Sequence, residues 1–271
     1  MNERILLRGG GDLASGVALR LHHAGFQIVI TELPRPLAVR RLVSFSEAIY
    51  AGQITVEDVT AHLVTPEAID ATLSRREIPV LIDPNADILS HFAFYAVVDA
   101  RLLKTSPSPL PTLPPLHIGL GPGFSAPSNC HAVIETRRGH TLGRVIWQGQ
   151  STPDSGQPEG DPRRVLRAAS DGRLVVRAEI GEHLNEGQLV AEIEDRYTRT
   201  QVHSPFKGVL RGLLRDGMDV TRGLKLGDVD ERDDPALCRL VSDKALAIGG
   251  GVLEAIMTDQ SRKFHSAPQT G

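Results

Sequence analysis

Cysteine is scarce in this chain: two in 271 residues, Cys130 and Cys238, with no C-x-x-C. That excludes a zinc ribbon or a four-thiolate iron–sulfur cluster built from this chain alone, and it excludes a disulfide framework. Both thiols read as reduced, in a cytoplasmic protein. The start, MNERILLRGG, has no basic segment leading into an apolar stretch, so no signal peptide is expected. No apolar run is long enough to span a bilayer. Aromatics are few, at 4%. There is no long basic run and the net charge is −3, so the chain lacks an electrostatic footprint for nucleic acid. Apolar content of 41% and charged content of 23% fit an ordinary globular protein.

The most informative positive feature is a repeat. Residues 166–194 lie on 202–230 without a gap when shifted by thirty-six positions. Gly172 meets Gly208, Gly181 meets Gly217 and Gly187 meets Gly223, and Leu174/Leu210, Leu184/Val220, Val190/Leu226 and Ile193/Val229 match as apolar pairs. Two copies of one supersecondary unit are implied. Short apolar runs between glycine turns make that unit a set of small strands. With its A-x-x-G, G-x-x-(Leu/Val)-x-x-G and S-P-F-x-G words, the repeat resembles the barrel-sandwich hybrid of biotinyl and lipoyl carriers. In that family the carrier lysine lies between the copies; the matching position here is Tyr197. Neither biotin nor lipoate is expected, and a docking or purely structural module is left.

The N-terminal half alternates strands and helices. Ile5–Leu7 reads as a strand, RGGGDLASG as a turn, VALRLHHAGF as a helix closed by Gly25, and 27–31 as a second strand. Helices are expected over 36–50 and 66–76, with extended runs at 60–64, 80–82, 95–99 and 117–120. This pattern predicts a Rossmann-like, mainly parallel sheet over residues 1–150, followed by the small all-β barrel-sandwich module at 164–232. Five prolines make 105–115 an extended connector, and 151–163 reads as the linker. A helix-rich return segment is expected at 233–259, including Gly249-Gly-Gly251, and a disordered tail at 260–271.

Two stretches carry candidate chemistry. Gly9-x-Gly11-x-x-Ala14 lies between a strand and a helix, with Glu32 about twenty positions on, the context of a dinucleotide fingerprint. Glycines let backbone approach a pyrophosphate at the helix N-terminus, and Glu32 would hold the ribose hydroxyls. Asp12 stands inside that turn, where a carboxylate repels phosphate or caps the helix itself. Nucleotide binding and a merely structural turn are both open readings. Glu32, Asp83 and Asp99 all end strands, where ligands of parallel sheets bind. The second stretch contains Gly121 and Gly123, then His131, Glu135, Arg138 and His140. These offer an acid/base pair of histidine and carboxylate, or an anion site in which Arg138 takes part. Two histidines nine apart do not make a metal site, and none is expected. Cys130 reads as a buried apolar residue.

The words RGGGDLASGVALRLHHAGF, TELPRPLAVRRLVSFSEAIYAG, GLGPGF, HAVIETRRGHTLGRVI and SDKALAIGGGVLEA, with the doubled β module, resemble one family. It is the YqeB-type accessory proteins of the selenium-dependent molybdenum hydroxylase system. The resemblance implies a cytosolic factor in maturation of such an enzyme, with the client hydroxylase as partner. Its cofactor would be NAD or another nucleotide, or the molybdopterin cofactor, with no Fe–S centre. A homodimer is compatible with it. An NAD-dependent oxidoreductase of a small metabolite, with His131 or His140 as acid/base, and a non-catalytic scaffold are the alternatives.

Overall fold

The computed structural model describes residues 3–153 and 161–266, and divides into two compact units. The first unit comprises Met1–Pro36, Phe45–Ser155 and Val241–Gly271; the second comprises Leu37–Ser44 and Gly156–Leu240.

The first unit is built on a nine-stranded sheet. Its elements are β1 (Arg4–Arg8), α1 (Asp12–His23), β2 (Gln27–Glu32), α2 (Ala48–Ala51), β3 (Gln53–Val56), β4 (Val59–Leu63), α3 (Ile69–Ser74), β5 (Ile78–Ile82), β6 (Ala96–Asp99), β7 (Leu116–Leu120), β8 (Ser125–Ala126), β9 (Ala132–Ile134), β10 (Val145–Ile146) and β11 (Gly149–Gln150). The order is β10-β9-β7-β6-β1-β2-β5-β4-β3. Pairing is parallel from β9 through β4 and antiparallel at both edges, where β10 joins β9 and β3 joins β4. A separate two-stranded ladder joins β8 to β11.

α1 ends in two hydrogen bonds, from Phe26 N–H to Leu21 O and from Gly25 N–H to His22 O, with Gly25 at φ +93. This is a Schellman closure, and a left-handed residue there favours glycine. One face of the sheet carries Leu6, Val29, Leu81 and Val97 into a core with Ile69, Leu73 and Phe94. The 24-residue α4 (Asp243–Ser266) returns to this unit, contacts β7, β9 and β10, and packs along α1. Close approach explains the glycines. A Cβ on Gly16 would fall 2.6 Å from that of Ala245, and one on Gly249 would fall 2.7 Å from Gly16 O.

The second unit holds β12 (Val165–Arg167), β13 (Gly172–Val176), β14 (His183–Leu184), β15 (Leu189–Glu194), β16 (Arg199–His203), β17 (Gly208–Leu213), β18 (Asp219–Val220) and β19 (Lys225–Asp230). They form two four-stranded sheets, β12-β19-β17-β14 and β16-β15-β13-β18. The repeat is visible as three strand pairs, β13/β17, β14/β18 and β15/β19, each offset by the same thirty-six positions. The copies exchange their short strands: β14 pairs β17, and β18 pairs β13. A Cβ on Gly172 would lie 2.6 Å from Glu194 O, and one on Gly208 lies 2.5 Å from Asp230 O. Equivalent glycines thus meet equivalent carbonyls. Between the sheets lies an apolar core centred on Leu174, Leu184, Val190, Ile193, Leu210 and Val229.

The expected architecture, a Rossmann-like sheet followed by a barrel-sandwich module, does not stand. The sheet is mixed, with antiparallel strands at both edges. After β6 the chain reaches β7 and β9 through irregular segments rather than crossover helices. The second unit does not simply follow the first, because it recruits Leu37–Ser44 and releases the chain back into α4. The helix expected over 36–50 is broken into two 3-10 turns, Arg41–Val43 and Phe45–Glu47, and the short α2. Within the second unit Arg40 donates to Leu237 O and Leu240 O, and Arg41 donates to Leu213 O. These tertiary contacts override local helical preference. At the other end α4 continues to Ser266, so residues 260–266 are helical rather than a loose tail. Residues 267–271 and most of the 151–163 linker fall outside the described residues.

Candidate functional site

The carboxyl ends of the parallel strands converge on a row of buried polar side chains. Thr31, Arg8 and Asp99 face one another in register on β2, β1 and β6, so all three project from the same side of the sheet. His117 on β7 pairs with Val97 and shares that side, one pleat back from Asp99. Their exposures are 3%, 6%, 0% and 5%. Four polar groups buried at one strand edge demand partners.

Asp99 is the hub. Arg101 donates to both its oxygens, at 2.8 Å and 2.6 Å, and Arg8 reaches it at 3.4 Å. Arg8 also donates to Pro84 O at 3.2 Å. Burial pulls the Arg8 pKa down, and the Asp99 carboxylate opposes that pull. Nearby Asp83 spends its carboxylate on the N–H groups of Asp87 and Ile88. Burial also lowers His117 to about 4, so its imidazole is neutral at physiological pH. The ring stands edge-on to Phe124, centroids 5.9 Å apart. Gly119 makes room for that phenyl, since a Cβ there would fall 2.1 Å from Phe124 Cγ.

The glycine turn of residues 9–11 borders this row. Gly9 sits at φ +92, where a Cβ would fall 3.4 Å from Arg101 Cγ, and its N–H donates to Thr31 O. Gly10 donates to Glu32 Oε2 at 2.7 Å, and a Cβ on it would meet Ser46 N at 2.8 Å. Glu32 Oε1 takes the N–H of Leu33. So Glu32, read as a ribose ligand, uses both oxygens on backbone. Gly11 is different: nothing lies within 4 Å of the place a Cβ would take, and it is the N-cap of α1. Asp12 opens the first turn of α1, and Ala14 is buried within it.

The second predicted stretch does not gather into one constellation. Glu135 is buried; it accepts from Arg137 N–H, Thr152 N–H and Thr152 Oγ, which hold its pKa below the usual carboxylate value against the opposing effect of burial. Arg138 forms a two-pronged pair with Asp243 at the start of α4. His140 is exposed. His131 is exposed and accepts the His117 backbone N–H at Nδ1. Gly121 and Gly123 are buried against Leu102–Thr105, where a Cβ on Gly123 would lie 2.2 Å from Thr105 O. Their backbone is covered rather than presented to a ligand. Cys130 is buried, and desolvation raises its thiol to about 11, the mark of an inert cysteine. Arg8, Arg101 and His117 escaped the sequence reading. The signal for Arg8 was a lone charge ending an otherwise apolar strand.

Among the described residues no group of three His, Cys, Asp or Glu is placed to hold a metal, and no helix is long and apolar enough to cross a membrane. No family model matches the chain. The protein YqeB of Escherichia coli (strain K12) is 43% identical over 261 residues, covering 94% of this chain. The chain is thus similar to YqeB over nearly its whole length. It spans about half, 48%, of that relative's length. In part the chain also resembles solved structures of low identity. EutE (DoeB), an ectoine utilization protein of Ruegeria pomeroyi, is 18% identical over 31% of this chain and 27% of its own, with a TM-score of 0.24. An aspartoacylase family protein of Mesorhizobium loti is 13% identical over 84% of each chain, with a TM-score of 0.27. A succinylglutamate desuccinylase of Silicibacter sp. TM1040 is 14% identical over 84% of each chain, with a TM-score of 0.26. Such low TM-scores carry nothing over to this chain's activity.

Proposed function

We infer that the chain is an accessory factor in the maturation of a molybdenum hydroxylase and holds an anionic cofactor at the strand edge beside the glycine turn. The observation that carries the reading is the set of long family words, together with the 43% identity to YqeB. Support for the binding part comes from the site itself. Gly11 is open at the N-terminus of a twelve-residue helix, the Arg101 stem borders Gly9 in the same turn, and backbone N–H groups at a helix start favour phosphate. A nucleotide and the nucleotide-bearing pyranopterin cofactor both present that chemistry. Arg101 and the start of α1 would hold the anionic part; the hydroxylase reaction belongs to the client. For the oxidoreductase alternative, with His131 or His140 as acid/base, Glu135 is not a free partner carboxylate, because it accepts from Thr152 and Arg137.

Deleting the gene in a cell that makes a molybdenum hydroxylase tests the role. Loss of that enzyme's activity and of its labile selenium or sulfur ligand is expected, with polypeptide levels maintained. Unchanged activity in the deletion strain refutes the role. Native mass spectrometry of freshly purified protein tests the cofactor part through the retained mass.

A further inference from the structure

The polar row at the ends of β1, β6 and β7 is less satisfied than its burial allows. Arg8 is a guanidinium with five N–H groups, yet it makes two hydrogen bonds, at 3.4 Å and 3.2 Å, both longer than the usual 2.9 Å. His117 Nε2 is buried without a hydrogen-bond partner. An unpaired buried polar atom is costly and marks a place where a partner belongs. Two guanidiniums share the one carboxylate of Asp99, and Arg101 keeps 30% of its side chain exposed. The other acids nearby are engaged elsewhere: Glu32 with Gly10 and Leu33, Asp83 with Asp87 and Ile88.

We propose that this row is an oxyanion-binding site in which Arg101 and Arg8 grip a phosphate or carboxylate group and His117 Nε2 hydrogen-bonds the same ligand. Guanidinium forks match planar and tetrahedral oxyanions, and the carboxyl edge of parallel strands is where ligands of such sheets lie. Asp99 acts as a positioning residue that holds the two arginines together. A neutral imidazole suits the role, because it adds a hydrogen bond without adding charge. The inference rests on the anionic-ligand part of the functional reading and is independent of the hydroxylase client.

The test is calorimetric titration of the full chain with inorganic pyrophosphate and, separately, with succinate. Binding of at least one is expected, weakened at least about tenfold by Arg101→Ala and by His117→Phe, with His117→Gln retaining more affinity than Phe. The tighter probe assigns the ligand as phosphoryl or carboxylate. No binding of either probe, or binding indifferent to both substitutions, overturns the proposal. Should His117→Phe fail to fold, the wild-type imidazole nitrogens are followed by NMR with labelled histidine. A His117 shift on adding the bound probe sustains the proposal, and an unmoved signal refutes it. If the probe binds as described while deletion leaves hydroxylase activity intact, the site stands and the maturation role falls.

Discussion

The three consecutive glycines of α4 make a sharp test of how the first unit is held together. All three sit inside a helix, where glycine is less favourable than alanine by about 1 kcal/mol. Local propensity therefore predicts that alanine at any of them stabilises the protein equally. Their surroundings differ. Gly250 is exposed, with nothing within 4 Å of a new Cβ. At Gly249 the Cβ would lie 2.7 Å from Gly16 O and 2.8 Å from Arg20 Cγ; at Gly251 it would lie 2.0 Å from Gly143 O. Arg20 is a flexible stem that can yield, but Gly143 presents backbone at φ +79, which cannot. Overpacking costs about 1–3 kcal/mol. Gly250→Ala should gain about 0.5–1 kcal/mol. Gly249→Ala should lose about 1 kcal/mol once the helix gain offsets part of the clash, and Gly251→Ala about 2 kcal/mol or more. Urea denaturation followed by circular dichroism reads the three variants side by side. If Gly251→Ala is as stable as Gly250→Ala, the close packing of α4 is not what requires glycine there.

Other consequences follow from the buried charges. Asp99→Ala strands two guanidiniums, so a loss of about 3–5 kcal/mol is expected in the same denaturation assay; an effect below about 1 kcal/mol contradicts the hub. His117 has its pKa lowered from 6.5 to about 4, so protons bind the unfolded chain first. Stability should fall by a few kcal/mol as pH drops from about 6.5 to about 4, and His117→Phe should flatten that limb. In the second unit Asp230, paired with Arg232 and Arg211, is lowered from 3.8 to about 2. Its contribution is present above 3.8 and fades toward 2, a separate acid window that Asp230→Asn should abolish when stability is followed against pH. Glu135→Gln replaces one of the two accepting oxygens by an amide NH2, so either Arg137 or Thr152 loses its acceptor; a cost of about 1–3 kcal/mol is expected, with faster hydrogen exchange at Arg137 or Thr152 as the local readout.

What the sequence by itself determined is local. The thirty-six-residue period reappears strand for strand as β13/β17, β14/β18 and β15/β19, because glycines at fixed offsets mark turns whatever surrounds them. The βα turn at Gly9–Gly11 and the closure at Gly25 were legible for the same reason: φ beyond the reach of other side chains, or a strand giving way to helical spacing, is written in adjacent residues. The tertiary structure alone decided which of the candidate glycines are covered by neighbouring chain. Gly10 packs against Ser46, Gly121 and Gly123 against Leu102–Thr105, while Gly11 opens outward. It decided that the 37–44 segment leaves the sheet unit, since the carbonyls Arg40 and Arg41 bond lie 172 to 200 residues away. It also decided the site. Arg8, Asp99 and His117 are separated by up to 109 positions in the sequence and meet only because β1, β6 and β7 are neighbours in register. Strand order is set by long-range packing, which no local pattern records, and strand order is what turns three scattered polar residues into one buried row.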